Sequence, residues 1–205
     1  MCKELVKDFI SSIDKFDDKT YILSIIIYNA APAIAGYKPS YLIIFHDKGK
    51  RNLYQAWEDY KNFIKKELRI EFYELKKANN STAVLFYNKD QLSEVLNQDK
   101  HSEFLKAYGY IKGMSLQQSL RTLKDRYKKV CPHEIGIFLG YPIDDVIEFI
   151  EFPEKKALTF GYWKVYHNVL DAVNTFKKYD EIKEKVMKLI MQGVEPLYIM
   201  NNMLN

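Results

Sequence analysis

The segment from Tyr21 to Tyr37 is the most apolar stretch of the sequence, and it constrains the fold more than any other feature. Asn29, Pro32 and Gly36 interrupt it, and it falls short of the roughly 20 apolar residues that a membrane-spanning helix needs. A stretch this apolar therefore has to lie inside a protein core. We predict a fully buried helix from Thr20 to Ala30, followed by an irregular bend.

The length and composition are those of one globular domain. The chain has 205 residues, of which 47% are hydrophobic and 28% charged, a balance that supports one substantial core. No internal repeat or Gly/Ser-rich linker divides it, so we predict a single domain over residues 1–205. Two cysteines, Cys2 and Cys131, are too few for a disulfide framework, and the first ten residues lack the pattern of a secretion signal. We expect a soluble cytoplasmic protein without membrane contact.

Basic and acidic side chains are unevenly distributed along the chain. Residues 1–130 carry 23 basic and 16 acidic side chains, whereas residues 131–205 carry 8 and 11. A basic first part favours anionic partners. The acidic second part contains the stretch with the most unusual composition, CPHEIGIFLGYPIDDVIEFI at 131–150.

The periodicity of apolar residues predicts a mixture of helices and strands. These do not alternate strictly, so we predict an α+β fold with a small, mainly antiparallel sheet surrounded by helices. The predicted helices cover about 5–16, 20–30, 54–68, 88–95, 115–130 and 168–191, and the predicted strands cover 41–45, 69–75, 82–87 and 158–166.

Residues 116–150 have the residue pattern of a helix-turn-helix element. Ile135 with Gly136, and Leu139 with Gly140, occupy the positions where this motif requires an apolar residue, a small residue and a tight turn. Gly140 is expected to adopt the left-handed conformation that ends the first helix. The sequence therefore predicts a helix-turn-helix-like element at this place.

The second helix of this element has the wrong charge for DNA. It contains no Lys or Arg to meet phosphates or base edges, so the sequence argues against nucleic acid as a partner. An alternative hypothesis is that this acidic helix, 144–151, docks a basic protein. Four acids are expected on its surface: Asp144, Asp145, Glu148 and Glu151.

Cys131 and His133 raise the question of a metal site. A Cys-x-His spacing places a thiolate and an imidazole close together, and a Cys-Pro pair can ligate haem iron. A structural zinc site needs four ligands, and the other histidines are scattered. Haem or iron binding through these two residues is thus an alternative hypothesis beside a small buried thiol. The sequence identifies no cofactor.

His133 and Glu134 are the residues of this stretch best suited to catalysis. They stand at the expected start of a helix, where an imidazole can project into a cleft and exchange protons near neutral pH, with Glu134 as its partner. The alternative is that His133 caps the helix and Glu134 complements its dipole. The sequence leaves open whether the protein is an enzyme.

Two further stretches have the composition of binding sites. The bend from Asn29 to Lys38 exposes backbone N–H groups beside a lysine, which suits a carboxylate or a phosphate. From Phe160 to Tyr166, aromatic rings alternate with Gly161 and Lys164, which suits stacking beside an ammonium group. Each stretch also has a purely structural interpretation, as a tight connection or as a core strand with an outward lysine.

Three motifs in this order resemble one family. They are AP…GYKP at 31–39, PHEIG…LGYP…DV…FI at 132–150 and GYWKVY at 161–166. The chain is similar to an uncharacterised bacterial family, common in anaerobic Firmicutes and catalogued as domain of unknown function 3793. The resemblance ends near Tyr179, so residues 180–205 look like a C-terminal helical extension.

The resemblance implies a stand-alone cytoplasmic protein and no particular activity. His133, Glu134 and Lys164 stand at motif positions of the family. We expect the three motifs to surround one cavity that binds a small anionic ligand or cofactor. His133 and Glu134 are the predicted catalytic residues. The predicted ligand-binding residues are Asn29, Gly36, Lys38, Tyr141, Tyr162, Trp163, Lys164 and Tyr166.

Overall fold

The computed structural model describes residues 3–128 and 130–204, so Cys2 lies outside the described residues. Over those residues, ten helices surround one three-stranded sheet and a short hairpin, which confirms the predicted α+β fold. The helices are α1 (Lys3–Ile13), α2 (Asp18–Ile34), α3 (Leu53–Glu67), α4 (Lys89–Asn97), α5 (Asp99–Lys106), α6 (Leu116–Tyr127), α7 (Ile135–Phe138), α8 (Ile143–Glu151), α9 (Val169–Met191) and α10 (Pro196–Asn202). The strands are β1 (Ser40–His46), β2 (Glu71–Ala78), β3 (Ser81–Tyr87), β4 (Thr159–Phe160) and β5 (Lys164–Val165).

Helix α2 is the buried helix predicted from the apolar stretch. Asp17 caps it by accepting hydrogen bonds from two backbone N–H groups of its first turn, at 3.0 and 3.1 Å. The predicted end at Ala30 is wrong, because the helix continues through Pro32 to Ile34. Most of its residues are buried, so packing outweighs the backbone hydrogen bond that the proline cannot make.

The bend after α2 closes the helix and turns the chain inward. Gly36 has a φ of +73°, and the N–H of Tyr37 donates to the carbonyl of Pro32 at 2.8 Å, as at many helix ends. Ser40 Oγ then donates to the carbonyl of Phe138 at 2.6 Å. This buried hydrogen bond joins the first sequence motif to the second.

The sheet has the order β1-β3-β2 and is antiparallel throughout. Successive side chains of the central strand β3 point to opposite faces and therefore enter two different cores. Val84 and Phe86 pack in a first core with α1, α2, α3, α9 and α10. Leu85 and Tyr87 pack in a second core with α4 to α8. The sheet thus separates two apolar layers of helices.

The segment 158–166 differs from the predicted single strand. It forms a tight hairpin of β4 and β5, in which the N–H of Gly161 donates to the carbonyl of Trp163 at 3.0 Å. Gly161 lies so close to the ring of Phe176 on α9 that a side chain would collide with it. This close approach keeps the turn packed against the helix.

The helix-turn-helix pattern folds into a shorter unit than predicted. Its first helix, α7, is a single turn of four residues, and α8 has nine. Gly140 has a φ of +72°, as predicted for the turn between them, and a side chain there would collide with Pro39. The turn is therefore packed against the first motif.

Helix α9 carries the chain back across the first core. It matches the helix predicted over 168–191. Val186, Met187 and Ile190 are buried in the first core, so the segment predicted to be an extension contributes to the interior. Within residues 3–128 and 130–204, no helix combines the length and the apolar character that crossing a bilayer requires.

Candidate functional site

A cavity of about 380 Å³ lies between the α7–α8 pair and the β4–β5 hairpin. Its walls are mainly apolar and aromatic, and they include Ile135, Tyr141, Val146, Phe149 and Trp163. The volume falls within the range of sites that bind small organic molecules. The cavity brings together the second and third sequence motifs.

The inner wall of the cavity depends on Gly136. A side-chain carbon at this position would lie 2.8 Å from Val146 Cγ2 and 3.3 Å from Tyr141 Cδ2, closer than carbon atoms pack. The glycine therefore lets α7 approach α8. The Tyr141 ring stacks on Trp163, with 5.3 Å between centroids and 30° between planes. This stack joins the α7–α8 turn to the hairpin.

His133 and Lys164 border the cavity from different elements. The His133 ring, before α7, has its centroid 5.0 Å from that of Phe149. Lys164 Nζ, on β5, lies 5.0 Å from the centroid of the same ring. Both side chains line the cavity and belong to exposed residues. An imidazole and an ammonium group are thus available to one bound molecule.

Asp145 is buried, which corrects the prediction of an exposed acid. It is only 3% exposed. Its Oδ1 accepts hydrogen bonds from the backbone N–H groups of Tyr166 and His167 at 2.8 and 2.9 Å, and its Oδ2 accepts one from Trp163 Nε1 at 2.8 Å. Three donors to one carboxylate fix the hairpin and the indole at the cavity wall.

The acidic surface of α8 is therefore smaller than predicted. Glu148 forms an ion pair with Lys155 and lies 3.3 Å from His167 Nε2. The hydrogen bond from Lys155 lowers the pKa of the Glu148 carboxyl. Asp144 and Glu151 are exposed. Two of the four predicted acids thus remain for the docking surface of the alternative hypothesis.

Glu134 is not the partner of His133 that the sequence predicts. It is 1% exposed, is not among the residues that line the cavity, and forms an ion pair with Arg126 of α6. Burial and the Glu134 charge raise the pKa of the neighbouring Tyr110 hydroxyl. The carboxylate thus ties α6 to the start of α7, because a buried charge needs an opposite charge beside it.

Lys38 belongs to a buried cluster that adjoins the cavity through Tyr141. The residue is 3% exposed, and its Nζ lies 5.2, 5.3 and 5.6 Å from the ring centroids of Tyr41, Tyr141 and Tyr179. Burial, and then the charge of the nearby Lys183, lower the pKa of the Lys38 amine to about 7.

A second buried lysine, Lys183 of α9, lies in the same cluster. It is 5% exposed, and its Nζ lies 5.0, 5.1 and 5.3 Å from the ring centroids of Tyr28, Tyr41 and Tyr162. Burial lowers the pKa of this amine to about 8, against the opposing effect of the Asp180 carboxylate. The lysine–tyrosine cluster, as we call it, consists of Lys38, Lys183, Tyr28, Tyr41, Tyr141, Tyr162 and Tyr179.

Lys183 lies outside the three sequence motifs, although the sequence contains a signal for it. Tyr179, Lys183, Val186 and Ile190 follow one another at helical spacing along α9, and all four are buried. The lysine therefore stands on the apolar face of an amphipathic helix. Lysine is almost never fully buried in proteins without a partner, so its position in this pattern marks it for attention.

The first motif reaches the cluster and not the cavity. Asn29 Nδ2 donates to the carbonyl of Ile25 at 2.9 Å, and its Oδ1 accepts a long hydrogen bond of 3.4 Å from Tyr41. Gly36 is exposed, and its carbonyl accepts a hydrogen bond from Gln91 Nε2 at 2.8 Å. Asn29 thus touches the edge of the cluster, whereas Gly36 serves the helix end.

The third motif contributes to both places. Trp163 and Lys164 line the cavity, whereas Tyr162 points into the cluster and donates a hydrogen bond of 2.8 Å to Asp180. Tyr166 is buried and is held through its backbone N–H. The three motifs therefore meet at two adjoining places that share Tyr141, instead of surrounding one cavity.

Metal binding has few candidate ligands here. Among the described residues, no group of three or more His, Cys, Asp and Glu side chains is placed to hold a metal ion. Cys131 and His133 both line the cavity, and Cys131 is exposed. Cys131 and His133 are thus the two neighbouring side chains available to haem iron, and haem binding stays a prediction.

The sequence matches a protein family over most of its length. The model of the family described as "Protein of unknown function (DUF3793)" matches residues 26–200. The match includes residues 180–200, so it reaches beyond the family-like part expected to end near Tyr179. No curated protein matches the chain, and no solved structure matches it.

Proposed function

The chain belongs to the DUF3793 family, whose description gives no function, and from the geometry we propose that it binds a small organic anion in the cavity between α7–α8 and β4–β5. The ligand has a flat apolar body that packs against the aromatic wall. Its acidic group lies beside Lys164. The observation that carries this proposal is the position of Lys164 and His133 at an aromatic-walled cavity.

The walls of the cavity support an apolar body. Tyr141, Val146, Phe149 and Trp163 present carbon-rich surface on several sides. Moving apolar surface out of water contributes roughly 25 cal/mol per Å². The Tyr141–Trp163 stack supports a planar ligand, because aromatic rings extend such stacks favourably.

The charges around the cavity support an acidic group. Lys164 is exposed, and among the described residues no carboxylate lies within ion-pair distance of its Nζ. The oxygens of Asp145, the carboxylate that borders the cavity, already accept three hydrogen bonds. A bound carboxylate therefore finds a cation without its own partner. His133 is the side chain at this cavity that is suited to exchange a proton with the ligand.

Isothermal titration calorimetry with 1-naphthoate and its neutral analogue 1-naphthamide tests the proposal. We expect both to bind, because the apolar contacts are shared, and the acid to bind about twofold to fivefold tighter at low salt, the range of an exposed ion pair. Lys164→Gln should remove the preference for the acid and leave amide binding unchanged.

Lys156→Gln is the matched control, because Lys156 is an exposed lysine that does not line the cavity. It should keep the preference of the unmodified protein. The absence of binding by both compounds would refute the cavity as a binding site. An equal loss of preference in both variants would refute the specific role of Lys164.

A further inference from the structure

The lysine–tyrosine cluster contains more positive charge than its surroundings balance. Lys38 and Lys183 approach one ring, that of Tyr41, with their Nζ atoms 5.2 and 5.1 Å from its centroid. Both lysines are at least nine-tenths buried, at 3% and 5% exposed. Two amines in one apolar site repel each other when both are charged.

Lys38 makes no polar contact among the described residues. Within residues 3–128 and 130–204, its Nζ forms neither an ion pair nor a hydrogen bond. Asp180 is the acid near Lys183, and it also accepts the hydroxyl hydrogen bond of Tyr162. A buried ammonium without a partner is costly, so the site is incomplete as a structural element.

Three of the tyrosine hydroxyls are directed to groups other than the two amines. Tyr41 donates to Asn29, Tyr162 donates to Asp180, and Tyr179 donates to the backbone carbonyl of Tyr37 at 3.3 Å. These rings therefore offer their carbon surfaces to the two amines and direct their O–H groups to other acceptors.

The rings also stand back from the amines. Elsewhere in this protein, Lys19 Nζ makes close contact with the Phe63 ring, 3.6 Å from its centroid. The six ring distances around Lys38 and Lys183 are all longer, from 5.0 to 5.6 Å. These distances lie within the range of cation–π contacts and resemble the 5.0 Å between Lys164 Nζ and the Phe149 ring centroid, so the rings face the amines without being pressed against them.

We propose that the lysine–tyrosine cluster is a buried binding site for a small oxyanion, a carboxylate or a phosphate, which pairs with Lys38 and is further stabilised by Lys183. The anion supplies the missing counter-charge, and the rings exclude water around it, which strengthens the attraction. This site is separate from the cavity, and Tyr141 is the wall that they share.

The affinity of the lysine–tyrosine cluster for an anion should depend on pH. The amines have pKa values lowered to about 7 for Lys38 and about 8 for Lys183, so both are charged below pH 7 and both are neutral well above pH 8. An anion binds the charged forms, so above pH 7 binding must be accompanied by proton uptake. The affinity therefore falls as pH rises, by up to tenfold per pH unit for each proton taken up.

The other titratable groups that face the amines do not produce this effect. Five tyrosines and one acid face the amines from α2, β1, the α7–α8 turn, the hairpin and α9. Burial raises the pKa of each tyrosine hydroxyl. The tyrosines thus stay neutral between pH 6 and 9. The groups are Tyr28, Tyr41, Tyr141, Tyr162, Tyr179 and Asp180.

Sulfate is the probe of choice, because it remains a dianion over this pH range. Calorimetric titrations at pH 7.5, in two buffers that differ in their heat of ionisation, give both the affinity and the number of protons taken up. We expect one sulfate site with net proton uptake. Lys38→Met should bind sulfate at least tenfold more weakly. Titrations with acetate and with inorganic phosphate at pH 6 then show which oxyanion the site prefers.

Two control variants make the outcome decisive. Lys178→Met removes an exposed lysine of α9, the helix that also carries Lys183, and should leave sulfate binding unchanged. Lys164→Gln, at the cavity, should leave it unchanged as well. Lys38→Met has nearly the same size and shape, and its thermal unfolding shows whether it is folded. Sulfate, acetate and phosphate affinities all weaker than about 1 mM would overturn the proposal. Equal affinities in Lys38→Met and Lys178→Met would overturn it as well.

Discussion

The buried polar residues of this protein differ sharply in how many partners they have. Asp145 accepts hydrogen bonds from three N–H groups, whereas Lys38 has neither an ion pair nor a hydrogen bond among the described residues. A satisfied buried charge holds elements together, whereas an unsatisfied one costs free energy. The two residues should therefore respond to mutation in opposite directions.

Replacing Asp145 should destabilise the protein. Asp145→Ala leaves two backbone N–H groups and the Trp163 indole N–H unpaired, so we expect the free energy of unfolding to fall by about 3 kcal/mol. Asp144→Ala, at the exposed neighbouring position, should change it by no more than about 0.5 kcal/mol. Urea denaturation measures both values, and similar effects of the two variants would contradict the assigned role of Asp145.

Replacing Lys38 by methionine should stabilise the protein at neutral pH. In the unfolded chain the amine keeps its proton up to its ordinary pKa, near 10.5, whereas the folded form loses it above about 7. The unfolded state therefore binds more protons in this window, and the stability of the unmodified protein rises with pH across it.

Lys38→Met lacks this dependence. In chloride buffer we expect it to be more stable than the unmodified protein by roughly 1–3 kcal/mol at pH 7, with a smaller difference at pH 9. Urea denaturation at the two pH values measures the difference. Lys178→Met, at an exposed site of α9, should show no such trend, and a difference that grows with pH would contradict the burial argument.

Some residues at and near the cavity were predictable from the sequence and others were not. His133 and Lys164 could be identified because they stand in dense motifs of unusual composition. Asp145 was predicted to be exposed because its partners lie in a hairpin 18 to 22 residues later, and nothing local to α8 indicates them. Glu134 was assigned to His133 because they are adjacent in sequence, but an arginine one helix away competes successfully for it.

At the scale of elements, close backbone packing joins the motifs. The turn between α7 and α8 touches Pro39 at Gly140, and the hairpin turn touches Phe176 at Gly161. Each glycine is placed where a neighbouring element leaves no room for a side chain. Such contacts explain why a sequence pattern typical of a DNA-binding element is here part of a packed interior.

Gly140→Ala should separate steric collision from backbone strain. Gly140 and Gly113 have similar positive φ values, +72° and +85°, but nothing lies within 4 Å of a side-chain carbon at Gly113. Both alanine variants share a strain cost of about 1–2 kcal/mol. We expect Gly140→Ala to lose a further 1–3 kcal/mol, roughly, from overpacking against Pro39. Thermal unfolding compares the two, and equal losses would contradict the collision.

Most helices and the three strands of the main sheet were predictable, because their periodicity and caps are local. The capping box of Ser115 with Gln118 at the start of α6 is such a local signal, and both of its hydrogen bonds are present. The end of α2 and the β4–β5 hairpin were not predictable. In both places, at Pro32 and at Gly161, tertiary packing overrides the local preference of the residue.

At the scale of the whole molecule, one sheet separates two cores, and the C-terminal part of the chain completes the first of them. Val186, Met187 and Ile190 of α9, with Ile199 and Met200 of α10, belong to that core. Lys183 of the lysine–tyrosine cluster also comes from this part of the chain. Residues 180–204, predicted to be an extension, therefore contribute both to the core and to the cluster.

A chain truncated after Tyr179 should not fold. It loses a substantial part of the apolar surface of the first core, and each large side chain removed from a core contributes about 1.5–3 kcal/mol of burial, against a total stability of about 5–15 kcal/mol. Circular dichroism during urea denaturation should show no cooperative transition. A sigmoidal transition at a similar midpoint to that of the full chain would contradict this view of residues 180–204.

The sequence predicts that the three motifs surround one cavity. In the structure they meet at two adjoining places, the cavity and the lysine–tyrosine cluster. The motifs approach one another because Ser40 binds to the carbonyl of Phe138 and because Asp145 binds the hairpin. The Tyr141 ring stands between the two places, because it lines the cavity and also faces Lys38. Neither periodicity nor spacing in the sequence indicates that Tyr141 has this position.

The two tryptophan indole N–H signals of the ¹⁵N-labelled protein show whether an organic anion binds in the aromatic-walled cavity. Trp163 lines the cavity, whereas Trp57 is buried in the first core, where its indole donates to Glu74 at 2.8 Å. On titration with 1-naphthoate, we expect the Trp163 signal to shift saturably and the Trp57 signal to stay in place. Two stationary signals, or two signals that shift alike, would contradict anion binding in the cavity.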